Sequence, residues 1–200
     1  MDDIVKRLHH AATNGNLDII IDIHNENKKF FRDILNIVSI IAAGKGHIEC
    51  LKYAYKNGCL WDEVTCWHAA RAGYIECLKY AHENGCPWNE FTCAGAAFNG
   101  HLECLKYAHE NGCPWNEWTC NDATLNGHFE CLKYAHENGC PYSEKLLSTI
   151  VKEILIPKWR KSVKIRPYIF YWMEDTAKTL YAENGQGRKR DYDTFVEDFI

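Results

Sequence analysis

The stretch ECLKYAHENGCPW, from Glu76 to Trp88, returns unchanged from Glu103 to Trp115. A third copy starts at Glu130 and ends in Tyr142, and a looser copy runs from Glu49 to Trp61. Successive copies start 27 residues apart, so the chain is an array of equal units. A fixed period of this size indicates a solenoid, in which each unit buries its apolar face only against its neighbours.

Each unit is predicted to contain two short helices. In the unit from Trp88 to Pro114, Asn89 suits the N-cap of a first helix over FTCAGAAFN, which stops at Gly100. A second helix over HLECLKYAHEN stops at Gly112, where a left-handed C-cap is expected. The apolar positions of this second helix recur at helical spacing and are predicted to face the stack: Leu102, Cys104, Leu105 and Ala108. The opposite, solvated side is predicted to carry Glu103, Lys106, Tyr107 and Glu110.

The composition suits a soluble protein with a substantial core. Hydrophobic residues make up 46% of the 200, yet the longest apolar run, Ile34 to Ala43, is about half of the ~20 residues that a membrane helix needs. The opening MDDIVKRLHH lacks the apolar segment of a signal peptide. These features predict an intracellular protein without a membrane span.

Charge divides the chain into two parts. Residues 1–144 carry 12 Lys/Arg and 19 Asp/Glu, whereas residues 145–200 carry 11 and 8. The acidic repeats are a poor match to a nucleic-acid backbone, so nucleic-acid binding is disfavoured for them. The question stays open only for the basic stretch 145–166, although a solvated helix face is the commoner explanation of such a run.

The eleven cysteines are predicted to be reduced thiols. Stacked helices lie about 8–10 Å apart, whereas a disulfide needs Cα atoms within about 7 Å. Equivalent cysteines of adjacent repeats therefore cannot pair directly, and the odd number argues against a disulfide framework.

The repeats resemble the ankyrin family. The resemblance rests on Ala69-Ala70 followed by Gly73, on Ala96-Ala97 followed by Gly100, and on the leucine-bearing second helix. The family period is 33 residues, and the deficit here falls between Gly85 and Thr92, where ankyrins carry a β-hairpin. The resemblance implies an all-α, ankyrin-type helical-repeat solenoid with shortened hairpin loops, which binds proteins through its concave face. The Cys-rich 27-residue form is similar to ankyrin proteins of large DNA viruses of amoebae, which implies a host-cell protein as partner and the host cytoplasm as location.

Five ankyrin-like repeats are predicted over residues 1–144, the first two of them divergent. Their glycines stand at positions 15, 46, 73, 100 and 127. The interval between Gly15 and Gly46 is longer than the 27-residue period, which predicts that the first helix of the second repeat, about Phe31 to Ala43, has an extra turn. An apolar stripe that starts at Leu146 predicts a C-terminal helical capping extension over residues 145–200.

Cysteine and histidine recur in a pattern that invites a metal site, for example Cys77, His82 and Cys86. Each residue type instead forms a ladder along the array, so like atoms repeat at the stacking distance and do not converge on one ion. We expect no metal, no cofactor and no enzymatic activity, since eleven thiols in repeating positions are the opposite of a lone nucleophile. The aromatic ladder that includes Trp88 and Trp115 is predicted to be structural.

The candidate binding surface is found where the copies differ. The second helix barely changes, whereas four positions of the first helix vary and lie on one face at 3.6 residues per turn. In ankyrin-like stacks that face lines the concave groove, and exposed apolar grooves mark partner sites. The predicted partner-binding residues are Val64, Trp67, His68, Arg71, Phe91, Phe98, Trp118, Asn121, Asp122 and Leu125. The simpler alternative is that some of them fill gaps between adjacent first helices.

Two other functions stay open at this point. The C-terminal tail could bridge a captured target to a ubiquitin ligase, although no F-box is recognisable in it. Residues 145–166 could also contact nucleic acid through their Lys and Arg side chains.

Overall fold

Ten α-helices follow one another in the part of the chain that the computed structural model describes, residues 2–27 and 31–142. They are α1 (Asp2–Thr13), α2 (Leu17–Glu26), α3 (Phe31–Lys45), α4 (Ile48–Lys56), α5 (Glu63–Ala72), α6 (Ile75–Glu83), α7 (Glu90–Phe98), α8 (Leu102–Glu110), α9 (Glu117–Asn126) and α10 (Phe129–Glu137). The prediction of an all-α helical-repeat solenoid is confirmed. The predicted capping extension, residues 145–200, lies outside the described residues, and its boundary stays a prediction.

The odd-numbered first helices of the repeats form the inner layer of the stack. Each packs closely on the next first helix, from α1 through α3, α5 and α7 to α9, whereas contacts between successive second helices are far fewer. The buried residues of α5 are small, with Cys66, Ala69 and Ala70 fully inaccessible to solvent, and small side chains let helices approach. The first helices therefore lie closer together along the stack than the second helices do.

The second helices bury the apolar face that the spacing predicts. In α8, Cys104, Leu105 and Ala108 are buried, whereas Leu102 is half-buried and packs against the same core. The prediction that Tyr107 is merely solvated is wrong. Its hydroxyl lies 3.0 Å from Nδ1 of His82 in the preceding repeat, so its ring contributes to the contact between repeats.

Glycine ends each helix of the pair, as predicted. The backbone of Gly73 after α5 has φ +81°, and that of Gly85 after α6 has φ +84°. Beyond Gly73, the Tyr74 N–H donates to the Ala69 carbonyl, and the chain turns directly into the second helix. Only residues 86–89 separate Gly85 from α7, which agrees with a shortened hairpin loop.

The first two repeats depart from the regular length. Helix α3 has 15 residues against 10 in α5, so the extra residues of the longer interval extend this helix as predicted. None of the helices described is long and apolar enough to cross a membrane.

All eleven cysteines are buried free thiols. Three thiols of the turns, those of Cys86, Cys113 and Cys140, donate weak hydrogen bonds to the N-cap residue of the preceding first helix. Cys86 Sγ lies 3.2 Å from the Asp62 carbonyl oxygen, and Cys113 Sγ lies 3.2 Å from that of Asn89. Each such cysteine therefore ties a turn to the repeat before it, which gives a structural reason for its recurrence. Within residues 2–27 and 31–142, no three His, Cys, Asp or Glu side chains are grouped so that they could hold a metal ion.

Candidate functional site

The ten predicted binding residues lie on α5, α7 and α9, on the layer of first helices. We call the surface that they form the first-helix face. Five of them are large apolar residues with at least a third of their surface exposed: Val64, Phe91, Phe98, Trp118 and Leu125. The remaining apolar one, Trp67, is half-buried. The face therefore combines exposed apolar positions with positions that pack between helices.

Phe91 and Trp118 form an exposed aromatic pair near the N-terminal ends of α7 and α9. Their rings meet edge to face, with centroids 6.2 Å apart and an interplanar angle of 81°. Phe91 is 48% exposed and Trp118 55%, which is unusual for such large apolar side chains. Asn89 and Asn116 fix their backbones, because each Asn Oδ1 accepts a hydrogen bond from the aromatic residue's N–H at 3.1 and 3.0 Å.

A pocket of about 300 Å³ opens beside Phe91, between the first turns of α5 and α7. Its walls are mainly apolar, and a carboxylate and an amide stand at its edge. The lining residues are Glu63, Val64, Trp67, Asn89 and Phe91. A pocket with apolar walls and a few polar groups suits an inserted side chain better than a flat surface does.

Trp67 fills a gap between α5 and α7. A Cβ on Gly95 would lie 2.9 Å from Nε1 of Trp67, so the indole rests directly on the glycine of the neighbouring helix. The Arg71 guanidinium lies 5.0 Å from the Trp67 ring centroid and 5.5 Å from that of Phe98, within cation–π range. For Trp67, packing between repeats accounts for the residue at least as well as partner binding does.

Three polar positions of the face, His68, Asn121 and Asp122, are half-buried. His68 has a lowered pKa, because burial and the neighbouring Arg71 both disfavour the imidazolium. Burial raises the pKa of Asp122, since it disfavours the carboxylate. Oδ1 of Asn121 is buried and accepts no hydrogen bond from the described residues. These groups are partly desolvated before any partner arrives.

The sequence reasoning missed a row of acidic residues along the same face. Glu63, Glu90 and Glu117 occupy the first turns of α5, α7 and α9, each directly before an apolar residue of the face. The signal was present in the 27-residue period, but the comparison of copies picked out variable positions and passed over constant ones.

The opposite side of the array is closed by an aromatic ladder between second helices and turns. The His82 ring stacks on Trp88 at 3.7 Å, and the His109 ring stacks on Trp115 at 3.7 Å. Nδ1 of His109 lies 2.9 Å from the Tyr134 hydroxyl of the next repeat, as Nδ1 of His82 does at 3.0 Å from that of Tyr107. The prediction that these histidines and tryptophans are structural is confirmed.

This ladder predicts that acid destabilises the fold. The pKa of His82 is lowered by burial, so the folded state disfavours the imidazolium. The unfolded chain then binds more protons below about pH 6.5, the ordinary histidine pKa, and the free energy of unfolding falls as the pH drops through that value. Above that pH the free energy of unfolding stays constant. Urea denaturation at pH 7.5 and 5.5 measures the change.

His82→Tyr is the matched variant for this prediction. Tyr55 holds the equivalent place one repeat earlier and stacks on Trp61 at 5.1 Å, so a tyrosine fits the ladder. We expect the variant to lose less stability than the wild type between pH 7.5 and 5.5. Identical pH dependences would show that His82 does not contribute.

Comparisons with known proteins agree with the fold. Residues 91–136 match the family described as "Ankyrin repeats (many copies)". Among solved structures, the chain is similar to the human ASB11 ankyrin repeat domain, with a TM-score of 0.56 and 20% identity over 67% of this chain and 69% of that one. No curated protein sequence matches the chain. The architecture is that of an ankyrin-repeat solenoid, as the resemblance of the repeats implies.

Proposed function

We propose that this chain is a non-enzymatic ankyrin-repeat protein that binds another protein through the first-helix face. The observation that carries the proposal is the exposed pair Phe91 and Trp118 beside an apolar pocket. Two large aromatic rings about half in water are costly unless a partner covers them. Trp is also enriched among the residues that dominate binding energies.

The state of the thiols supports a binding role over a catalytic one. Burial raises the pKa of Cys77 to about 11 and that of Cys104 to about 12. A catalytic cysteine needs the opposite, a lowered pKa and access to substrate. Cys77 and Cys104 are therefore suited to packing, where a thiol behaves as a small apolar side chain.

The kind of partner is proposed only from the resemblance of the repeats to a group of known proteins. The Cys-rich 27-residue repeat is similar to ankyrin proteins of large DNA viruses of amoebae. We propose on that basis a host-cell protein as partner and the host cytoplasm as the place of binding. The two alternatives, a ubiquitin-ligase adaptor and a nucleic-acid-associated protein, depend on the C-terminal tail and on residues 145–166, which lie outside the described residues.

Trp118→Ala is expected to weaken binding by about 2 kcal/mol or more, roughly thirtyfold in Kd, while the fold is kept. The side chain is more than half exposed, so its loss removes little core packing. The partner is captured from host-cell lysate with the full chain, identified, produced separately and titrated against each variant by calorimetry. Circular dichroism confirms that each variant is folded.

Lys79→Ala and Glu103→Ala are the controls on the opposite side. Both residues belong to exposed ion pairs of second helices, and such pairs contribute little, so binding should change by less than about 0.5 kcal/mol. If these changes abolish binding and Trp118→Ala leaves it intact, the first-helix face is not the site.

A further inference from the structure

First-turn glutamates differ in their ion pairing between the two layers of helices. Two of those on the second helices are paired with lysines: Glu76 with Lys79 at 3.9 Å and Glu103 with Lys106 at 4.0 Å. The helices α5, α7 and α9 instead carry Glu63, Glu90, Glu117 and Asp122 against the single cation Arg71. Within the described residues, no ion pair is formed by the three glutamates of this row. The first-helix face therefore presents uncompensated negative charge to a partner.

The aromatic residues of the two layers differ in whether a Lys or Arg lies over their rings. On the second helices, Lys79 Nζ lies 5.8 Å from the Tyr107 ring centroid, and Lys106 Nζ lies 5.9 Å from that of Tyr134. Near the C-terminal end of α5, the Arg71 guanidinium lies over the rings of Trp67 and Phe98. In the part of the chain described here, no Lys or Arg lies over Phe91 or Trp118. Each of these two exposed rings thus directly follows a glutamate in the sequence and lies under no Lys or Arg of the described residues.

We propose that the first-helix face binds a basic segment of its partner, in which Lys or Arg side chains alternate with apolar ones. This inference rests on the proposed function and specifies the partner's chemistry. The cations meet Glu63, Glu90 and Glu117 and lie over Phe91 and Trp118, where an aromatic face and a carboxylate attract the same charge. An apolar side chain of the segment enters the pocket between α5 and α7, whose edge carries the Glu63 carboxylate.

The spacing of the helices favours an extended segment that crosses them. Adjacent packed helices lie about 8–10 Å apart. A segment in the polyproline II conformation has three residues per turn and rises about 3.1 Å per residue, so every third side chain points the same way at intervals of about 9 Å. Basic residues at every third position would meet one glutamate of each repeat, and the residues between them would face the apolar positions.

The test uses a phage-displayed library of random twelve-residue peptides, selected on the full-length chain. We expect enrichment of Lys and Arg together with at least one large apolar residue. The best peptide is then synthesised and titrated against variants. The double change Glu90→Lys and Glu117→Lys should weaken its binding at least about tenfold, because it places like charges opposite each other. The attraction should also weaken as salt is raised.

Glu76→Lys with Glu103→Lys is the matched control. These glutamates also occupy first helical turns, in α6 and α8, so a lysine there meets the same unfavourable helix dipole. The control should change the Kd of the peptide less than about twofold. Should the Glu90 and Glu117 variant fail to fold, Glu90→Gln and the salt dependence of wild-type binding carry the same test.

The outcomes separate the two levels of the proposal. Selected peptides that lack Lys and Arg but lose affinity with Trp118→Ala would overturn the basic-segment inference and leave the first-helix face as the site. Peptides that are insensitive to both Trp118→Ala and the charge changes would overturn the proposed function itself. A selection that yields no binder would overturn the inference, because twelve extended residues, about 40 Å, are long enough to cross the face.

Discussion

Gly73→Ala is expected to destabilise the protein by about 2–5 kcal/mol. Two separate terms add at this position. The backbone of Gly73 has φ +81°, a left-handed conformation that costs a residue with a Cβ roughly 1–2 kcal/mol. The Cβ would also stand 2.5 Å from Nδ1 and 2.7 Å from Cε1 of His101, so the ring must move, at a further cost of about 1–3 kcal/mol.

Gly85→Ala is the control for the first term alone. Gly85 ends the second helix of the same repeat with φ +84°, and nothing lies within 4 Å of the position that its Cβ would take. We expect a loss of roughly 1–2 kcal/mol, from backbone strain only. Urea denaturation of both variants gives the difference. Equal losses would show that His101 does not cover Gly73 in solution.

This pair of glycines shows what the sequence could and could not predict. The Gly positions of the caps follow from local rules, since a helix that ends in a sharp turn needs a left-handed residue there. The different surroundings of Gly73 and Gly85 do not, because the ring over Gly73 comes from His101, in the next repeat. The same contact recurs at Gly15, where the cover is His47, whose Nε2 lies 2.9 Å from the Thr13 carbonyl oxygen. Contacts of this kind explain why His follows Gly in the repeats.

The candidate site shows the same limit. Helical periodicity was sufficient to place the ten residues on one layer of helices. It gave Trp67 and Trp118 equal weight, although the two side chains do different things. Trp67 rests on Gly95 of the neighbouring helix, whereas Trp118 stays 55% exposed. Which side chain fills a gap depends on the residue opposite it, which the face of a single helix does not reveal.

The cysteines lead to the second large effect, in their reactivity. All eleven are buried. Burial raises the pKa of Cys131 to about 12, and a hydrogen bond to Cys113 together with burial raises the pKa of Cys93. The thiolate is the reactive form, so a buried thiol reacts only when the repeats open and the thiol ionises. We expect an aromatic disulfide reagent at pH 8 to react at least about a hundredfold more slowly with folded than with denatured protein.

Some cysteines that occupy different positions of the repeat lie close together, so the prediction that all thiols are reduced is a strict one. Helix spacing excludes only disulfides between equivalent cysteines, whereas cysteines 20 residues apart are in contact. Cys66 Sγ lies 4.0 Å from the Cys86 carbonyl oxygen, and Cys120 Sγ lies 3.9 Å from that of Cys140. The turn cysteine donates its own thiol hydrogen to another carbonyl, such as Asn116 for Cys140, so each pair is held as two hydrogen-bonded thiols.

A count of the free thiols tests whether all eleven cysteines are reduced in solution. Freshly purified protein, denatured without reductant, should release eleven equivalents of the reporter, and each disulfide would remove two. Glu103→Cys supplies the positive control, because Glu103 is 81% exposed and a thiol there should react at once in the folded protein. Nine equivalents or fewer would show that a pair such as Cys66 and Cys86 is oxidised. Fast reaction of the folded wild type would instead contradict the burial of the thiols, and with it the packing of the repeats on one another.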